Sequence, residues 1–152
     1  MNYYNEIKTQ ILNNEITKKV KDYSKNKSDL TTYYNVGKLL SEAGKHYGEG
    51  IIKEYSEKLT KEFGKGYGLS NLKNMRKFYF FTKSQPPVDQ LSWTHYLLLM
   101  PLKNKNAINY YIEVTIKNNL SKRQLKQCIK NKEYERLDEQ TKLKLIKDEK
   151  LE

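Results

Sequence analysis

Apolar residues recur at steps of three and four along most of the chain, and strict alternation of apolar and polar residues is rare. This period is typical of amphipathic helices and not of half-buried strands. The pattern predicts an all-α fold, a compact bundle of about seven helices that contains one or two helix-turn-helix units. The predicted helices span about 5–23, 30–44, 51–63, 70–83, 92–100, 104–118 and 121–129.

Residues that cap or break helices mark the boundaries of these segments. Asp29 and Ser70 are predicted N-caps, because their side-chain oxygens can accept hydrogen bonds from free backbone amides. The stretch 121–124, Ser-Lys-Arg-Gln, has the pattern of a capping box. Glycines at 64, 66 and 68 allow the positive φ angles that other residues resist, so a sharp turn is predicted between the third and fourth helices.

The same pattern predicts the core positions and the domain limits. The first helix is expected to bury Ile7, Ile11, Ile16 and Val20, and the sixth helix to bury Ile116 among others. After residue 137 the chain is highly charged and lacks aromatic residues. We therefore interpret residues 1–137 as one helical domain and residues 138–152 as a charged linker or tail, or a frayed helix.

The composition shows a strong positive charge and indicates the cellular compartment. The formal net charge of the 152-residue chain is +11 at pH 7. The single cysteine, Cys128, cannot form an internal disulfide, and the N-terminus lacks the pattern of a signal peptide. No apolar run is long enough to span a bilayer. These features predict a cytoplasmic protein with no membrane partner.

The positive charge lies in two windows without acidic residues, Gly64–Val88 and Val114–Lys132. Solvated helix faces commonly alternate charges, because oppositely charged neighbours stabilise helices. The two windows coincide with the helices that follow the predicted turns, which favours binding of a polyanion. A lysine-rich solvated face without a partner is the alternative.

The fourth helix has one apolar side and one cationic side. At about 100° per residue, Leu72, Met75 and Tyr79 fall on one side, and lysines with small polar residues fall opposite. Lysine and arginine suit phosphate oxygens, whereas asparagine can pair with adenine and arginine with guanine at base edges in the major groove. If bases are read, the expected readers are Asn71, Asn74 and Arg76. The candidate DNA-binding residues are Lys65, Ser70, Asn71, Lys73, Asn74, Arg76, Lys77, Lys122, Arg123, Lys126 and Lys130.

Patterns of catalytic and metal chemistry are absent from the sequence. His46 and His95 lie far apart, and we interpret His95 as a hydrogen-bonded helix histidine. No cluster of cysteine and histidine has metal-ligand spacing, and the glycine-rich stretch follows a helix instead of a strand. We therefore predict no catalytic residue, no cofactor and no metal, and we interpret Cys128 as a core thiol.

Three spaced motifs resemble the N-terminal domain of the YhcG family: LTKEFGKGYGLSNLKNMRKFY, QLSWTHYLLLMPLK and INYYIEVTIKNNLSKRQLKQCI. The resemblance covers about residues 30–137, and Leu120-Ser121 stands where the family usually has Trp-Ser. It implies a helix-turn-helix DNA-binding module that normally precedes a domain similar to the PD-(D/E)xK nucleases. Such proteins are linked to DNA repair, restriction-like defence and mobile elements. The sequence lacks the nuclease half, so the nuclease activity does not carry over and we expect no enzyme.

The leading hypothesis is a DNA-binding module that acts as the targeting half of a nuclease-type protein. Its expected partners are duplex DNA and a nuclease domain or subunit, with a homodimer through the first helix as a further option. A protein-interaction or oligomerisation adaptor without nucleic-acid contact is one alternative, and an RNA binder is another. The dependence of affinity on salt distinguishes nucleic-acid binding from an apolar protein interface.

Overall fold

The computed structural model describes residues 2–20, 25–84, 87–88 and 90–151, with side chains except at Val20, Ser84 and 146–151. This part of the chain forms eight α-helices and no strand, so the predicted all-α fold is confirmed. The helices are α1 (Tyr3–Val20), α2 (Lys25–Tyr47), α3 (Gly50–Phe63), α4 (Leu69–Ser84), α5 (Trp93–Leu99), α6 (Lys105–Asn118), α7 (Lys122–Lys130) and α8 (Glu139–Leu151).

The chain divides into two compact units, Met1–Trp93 and Thr94–Glu152, and the boundary falls after the first residue of α5. The segment interpreted as a linker, a tail or a frayed helix is helical in α8. The predicted domain limit at residue 137 stays a prediction. Among the described residues, no helix combines the length and the apolar character that crossing a bilayer requires.

Helix α2 is the centre of the first unit and packs against α1, α3 and α4. Apolar side chains from all four helices form one core, because each helix turns one largely apolar side toward its neighbours. Ten buried residues make up this cluster: Ile7, Ile11, Val36, Leu40, Ala43, Ile52, Tyr55, Leu59, Leu72 and Met75. Trp93 closes one side, with ring centroids 4.8 Å from Tyr33 and 5.3 Å from Phe78.

The backbones of α2 and α4 lie close together at Gly37. A Cβ atom added to Gly37 would lie 2.1 Å from the carbonyl oxygen of Met75 and 3.1 Å from the Cβ of Tyr79. Both distances are shorter than van der Waals contact, and the nearer atom belongs to the backbone. Only glycine fits at this crossing, so Gly37 sets the distance between the two helices.

Two predicted details of α1 and α2 are wrong. Asp29 lies inside α2 and not at its N-cap, and its Oδ1 accepts hydrogen bonds from Asn14 Nδ2 and Lys18 Nζ, both at 2.9 Å. This carboxylate therefore ties α2 to α1. Ile16 is 58% exposed instead of buried, because the inward face of α1 is completed by Asn14. The side chain of Val20 lies outside the described part.

The second unit buries residues of α5, α6 and α7, among them Tyr96, Leu99, Tyr111 and Leu125. The hydroxyl of Tyr111 donates to the Glu135 carboxylate at 3.2 Å and accepts from the backbone N–H of Tyr134 at 3.2 Å. Burial is the main cause that raises the pKa of Tyr111 to about 12. The prediction that Ile116 is buried is wrong, since its side chain is 38% exposed. The neighbouring residue Thr115 of α6 faces the core instead.

We expect Gly37→Ala to lower the free energy of unfolding by about 3 kcal/mol, because the new methyl group must push two helix backbones apart. Gly50→Ala is the matched control, since nothing lies within 4 Å of a Cβ at Gly50. This control should be neutral or stabilising by up to about 1 kcal/mol. Urea denaturation followed by circular dichroism measures both. Equal stability of the two variants would contradict the close approach at Gly37.

Candidate nucleic-acid interface

A glycine turn between α3 and α4 sets the start of the cationic helix. Gly64 ends α3 with φ 83°, and its N–H donates to the carbonyl of Thr60 at 2.9 Å. Gly66 has φ 109°, whereas Gly68 does not adopt the positive φ that was predicted. The Ser56 hydroxyl donates to the carbonyl of Tyr67 at 2.8 Å and ties the turn back to α3.

Helix α4 begins at Leu69, so the prediction that Ser70 is its N-cap is wrong. Ser70 lies in the first turn and is exposed, and the carbonyl of Gly68 accepts the first helical hydrogen bond from the Leu72 N–H at 3.0 Å. The side-chain amide of Asn71 donates to the carbonyl of Gly66. Asn71 therefore stabilises the turn with the same amide that was predicted to read a base.

The body of α4 presents lysines outward, because the opposite stripe is fully packed. Leu72, Met75 and Phe78 have 0–1% of their surface exposed. Lys73 and Lys77 are exposed on the other side, and Lys65 is exposed in the turn. Within the described part of the chain, none of these three lysines forms an ion pair. Asn74 is half-buried on the flank of the same helix.

Arg76 is held by a carboxylate from the loop that precedes α3. Its Nη1 donates to both oxygens of Glu49, at 2.7 and 2.9 Å. These hydrogen bonds, assisted by the charges of Arg76 and Lys73, hold the pKa of the Glu49 carboxyl below its ordinary value. Gly44 lies beside the pair, since a Cβ there would be in ordinary van der Waals contact with Glu49 Oε1 at 3.4 Å and with Arg76 Nη1 at 3.5 Å. The guanidinium predicted to read guanine is thus engaged within the chain.

The second unit carries the other predicted cations on α7. Ser121 accepts from the Gln124 N–H, and the Gln124 side chain accepts from the Ser121 N–H, which confirms the predicted capping box. Asn119 makes the preceding turn with φ 50°. Leu125 is the buried anchor of the helix. Four exposed cations lie on the solvent side of α7, and the described residues offer them no ion pair: Lys122, Arg123, Lys126 and Lys130.

Sequence reasoning missed two residues of the α4 surface. Glu49 carries no signal, because its contact with Arg76 joins residues 27 positions apart along the chain. Phe80 could have been found on the helical wheel, since it follows Lys73 by seven residues and Lys77 by three. Its side chain is 46% exposed. A window without acids along the sequence is therefore not a surface without acids.

The other chemical groups behave as structural residues. His95 Nε2 lies 2.8 Å from the carbonyl oxygen of Leu120, as expected for a hydrogen-bonded helix histidine. Burial is the main cause that raises the pKa of the Cys128 thiol to about 11, which leaves it almost entirely protonated at neutral pH. Among the described residues, no three His, Cys, Asp or Glu side chains group as a metal site requires.

We expect Ser121→Ala to lower the free energy of unfolding by about 1 kcal/mol, because it removes the side-chain acceptor of the capping box. Ser70→Ala is the matched control, since Ser70 caps no helix, and its effect should stay within about 0.5 kcal/mol. Thermal and urea unfolding curves measure the difference. Equal losses of stability in the two variants would contradict the capping role of Ser121 and the position of Ser70 inside α4.

The comparisons identify the family of the chain. The family model described as the DUF1016 N-terminal domain matches residues 3–136. No curated protein and no solved structure matches the chain. DUF1016 is the domain of YhcG-type proteins, so the resemblance carried by the three spaced motifs is confirmed. The chain belongs to the family of DUF1016 N-terminal domains.

Proposed function

We propose that this chain is a DNA-binding module that contacts the phosphate backbone through the exposed cations of α4 and α7. The observation that carries the proposal is the α4 surface, where Lys73 and Lys77 are exposed and form no ion pair with any described residue, on a helix whose other side is fully packed. Lysines held in this way are suited to phosphate oxygens, because binding needs little reorganisation of the helix.

The turn before α4 adds to the same surface. Lys65 is exposed between Gly64 and Gly66, in the turn that leads to the N-terminus of α4. Helix N-termini favour anions, because unpaired N–H groups and the helix dipole both point toward them. A duplex backbone laid across this turn would therefore meet two kinds of positive charge.

Base reading has little support, since two of the three predicted base readers have other partners. Asn71 bonds the turn and Arg76 bonds Glu49. Asn74 is the predicted base reader without a hydrogen bond among the described residues. We infer an affinity that depends mainly on phosphate contacts and weakly on base sequence. As the targeting half of a nuclease-type protein in DNA repair, defence or mobile elements, such a module would bring DNA to a catalytic domain.

A protein-interaction or oligomerisation adaptor is the second candidate, and one observation favours it. Leu12 and Ile16 are 46% and 58% exposed, one helical turn apart on α1. An apolar interface at this position would serve a homodimer or a nuclease subunit, and its affinity would change little with salt. An RNA-binding module would share the salt dependence of the DNA module, and competition between duplex DNA and structured RNA separates the two.

We expect affinity for random-sequence duplex DNA to fall steeply with salt. The logarithmic slope should be about −3 if only Lys65, Lys73 and Lys77 neutralise phosphates, and about −6 if the four cations of α7 also contribute. Fluorescence anisotropy between 50 and 200 mM salt, a range of about fourfold, measures the slope. A flat titration would reject DNA binding and favour the adaptor.

Lys73→Glu with Lys77→Glu tests the assignment to α4. This variant should weaken duplex binding at least about tenfold and reduce the magnitude of the salt slope by about 2. The matched control is Lys19→Glu with Lys25→Glu, which changes the net charge equally at exposed lysines of α1 and α2. If both double variants lose affinity equally, net charge governs binding and the α4 surface does not.

Glu49→Gln should strengthen duplex binding, because it releases the Arg76 guanidinium and removes a negative charge beside Lys73. We expect a gain of about fivefold at 50 mM salt and a salt slope steeper by about 0.9. Glu57→Gln is the control, since Glu57 is an exposed carboxylate of α3 and the substitution makes the same change in net charge. An equal gain in both variants would contradict a specific role for Glu49.

A further inference from the structure

Phe80 is a large aromatic residue exposed on the lysine side of α4. It follows Lys77 by three residues and Lys73 by seven, so the three side chains lie along one side of the helix at intervals of about one turn. The ring is 46% exposed, whereas Phe78 on the opposite side is fully buried. Core packing therefore does not explain why this position is aromatic.

The chain orients the Phe80 ring without covering it. The centroid of the Tyr79 ring lies 5.1 Å away with an interplanar angle of 56°. Lys83 Nζ lies 5.2 Å from the Phe80 centroid and 4.5 Å from the Tyr79 centroid. These contacts limit the motion of the ring, so a planar ligand stacking on it would lose less conformational entropy.

A cavity of about 380 Å³ lies beside the ring. It is lined by Ser41, Gly44, Lys45, Glu49, Arg76 and Phe80. The paired carboxylate of Glu49 and guanidinium of Arg76 form its polar wall, and Gly44 lies directly beside this pair. The cavity thus joins an aromatic face to hydrogen-bond donors and acceptors, which is the combination that a planar heterocycle with a polar edge requires.

The charges around the ring favour a nucleic acid as the occupant over a protein. Lys45, Lys73, Lys77 and Lys83 are all exposed near this ring or along its side of α4. Lysine is depleted in protein–protein interfaces, and one isolated ring gives a small apolar area. A nucleic-acid strand offers anionic phosphates to the lysines and a base to the ring. In an intact duplex the base faces are covered by their neighbours, so the ring needs an unpaired base.

We propose that Phe80 stacks on an unpaired nucleobase, while Lys73 and Lys77 hold adjoining phosphates and the Arg76–Glu49 pair faces the edge of the base. This inference rests on the proposed DNA-binding function and specifies which kind of nucleic acid the module binds. The substrate is a nucleic acid with a base outside the stack, such as a bulge or a single-stranded junction. Selectivity would then come from Phe80, which recognises a base outside the stack, and not from Arg76, whose guanidinium is bound to Glu49.

The test compares two duplexes that differ in one unpaired position, an adenine bulge in one and an abasic bulge in the other. The two probes carry the same phosphates, so the contribution of the lysines cancels. The wild-type chain should prefer the adenine probe by roughly 5- to 150-fold, the range that base–aromatic stacking gives. Phe80→Ala and Phe80→Leu should bind both probes equally, and Phe80→Tyr should keep the preference.

Leu143→Ala is the control, because Leu143 on α8 is also a large apolar residue, 55% exposed, and the preference of this variant should match that of the wild type. Thermal melting checks that each variant is folded. Equal binding of both probes by the wild type, or a preference that survives Phe80→Leu, would overturn the inference and leave phosphate binding intact. Loss of self-association in Phe80→Ala without loss of base preference would assign the ring to a protein interface. Failure of the proposed function itself is distinct, since no probe would then bind in a salt-dependent way.

Discussion

The contact between the backbones of α2 and α4 at Gly37 decides what α4 shows to solvent. Because the Met75 carbonyl lies where a side chain would otherwise be, α4 packs against α2 at one distance and with one face. That face carries Leu72, Met75 and Phe78, and all three are buried. Lys73, Lys77 and Phe80 point away from the contact as a consequence of the helical period. One glycine therefore connects the core of the first unit to its candidate binding surface.

The carboxylates of the first unit help to explain why the α4 lysines have no ion pairs. Asp29 binds Lys18 on α1 at 2.9 Å, and Glu62 binds Lys8 at 2.9 Å and the hydroxyl of Tyr4 at 3.1 Å. These contacts join α1 to α2 and α3. Glu49 reaches the α4 surface, and it engages the arginine there. Acids placed between other helices leave the lysines of α4 available to an outside anion.

Local rules predicted much of this fold. Hydrophobic periodicity gave the all-α class, Gly64 ended α3 as expected, and the capping box at Ser121 formed as expected, because each feature depends on residues within one or two turns. The failures involve competition over longer distances. Asp29 has the chemistry of a cap, but Asn14 and Lys18 on another helix bind its carboxylate. Ile16 is apolar, but it follows Ile7 by nine residues and so lies on nearly the opposite side of α1, while the packed side continues through Asn14 and Lys18.

In the candidate site too, local features could be predicted from the sequence and contacts between distant residues could not. A helical wheel was enough to place Lys73 and Lys77 outward, because the direction of these side chains depends only on the period of α4. The engagement of Arg76 could not be predicted, because Glu49 lies 27 residues away and meets it only in the folded unit. The Arg76–Glu49 pair also lines the cavity beside Phe80, so the environment of this exposed ring depends on residues that lie far apart in the sequence.

The difference between lysine and arginine on α4 bears on the kind of recognition that the proposed module performs. Lysine acts as a point charge and binds phosphate without regard to base identity, whereas the arginine fork matches guanine geometrically. In this chain the lysines are exposed and the arginine is bound to a carboxylate. A surface built in this way has strong attraction for the backbone and few means to read a sequence. An aromatic ring among those lysines would supply a different selectivity, for a strand that has one base outside its stack, and this selectivity does not require Arg76 to leave Glu49.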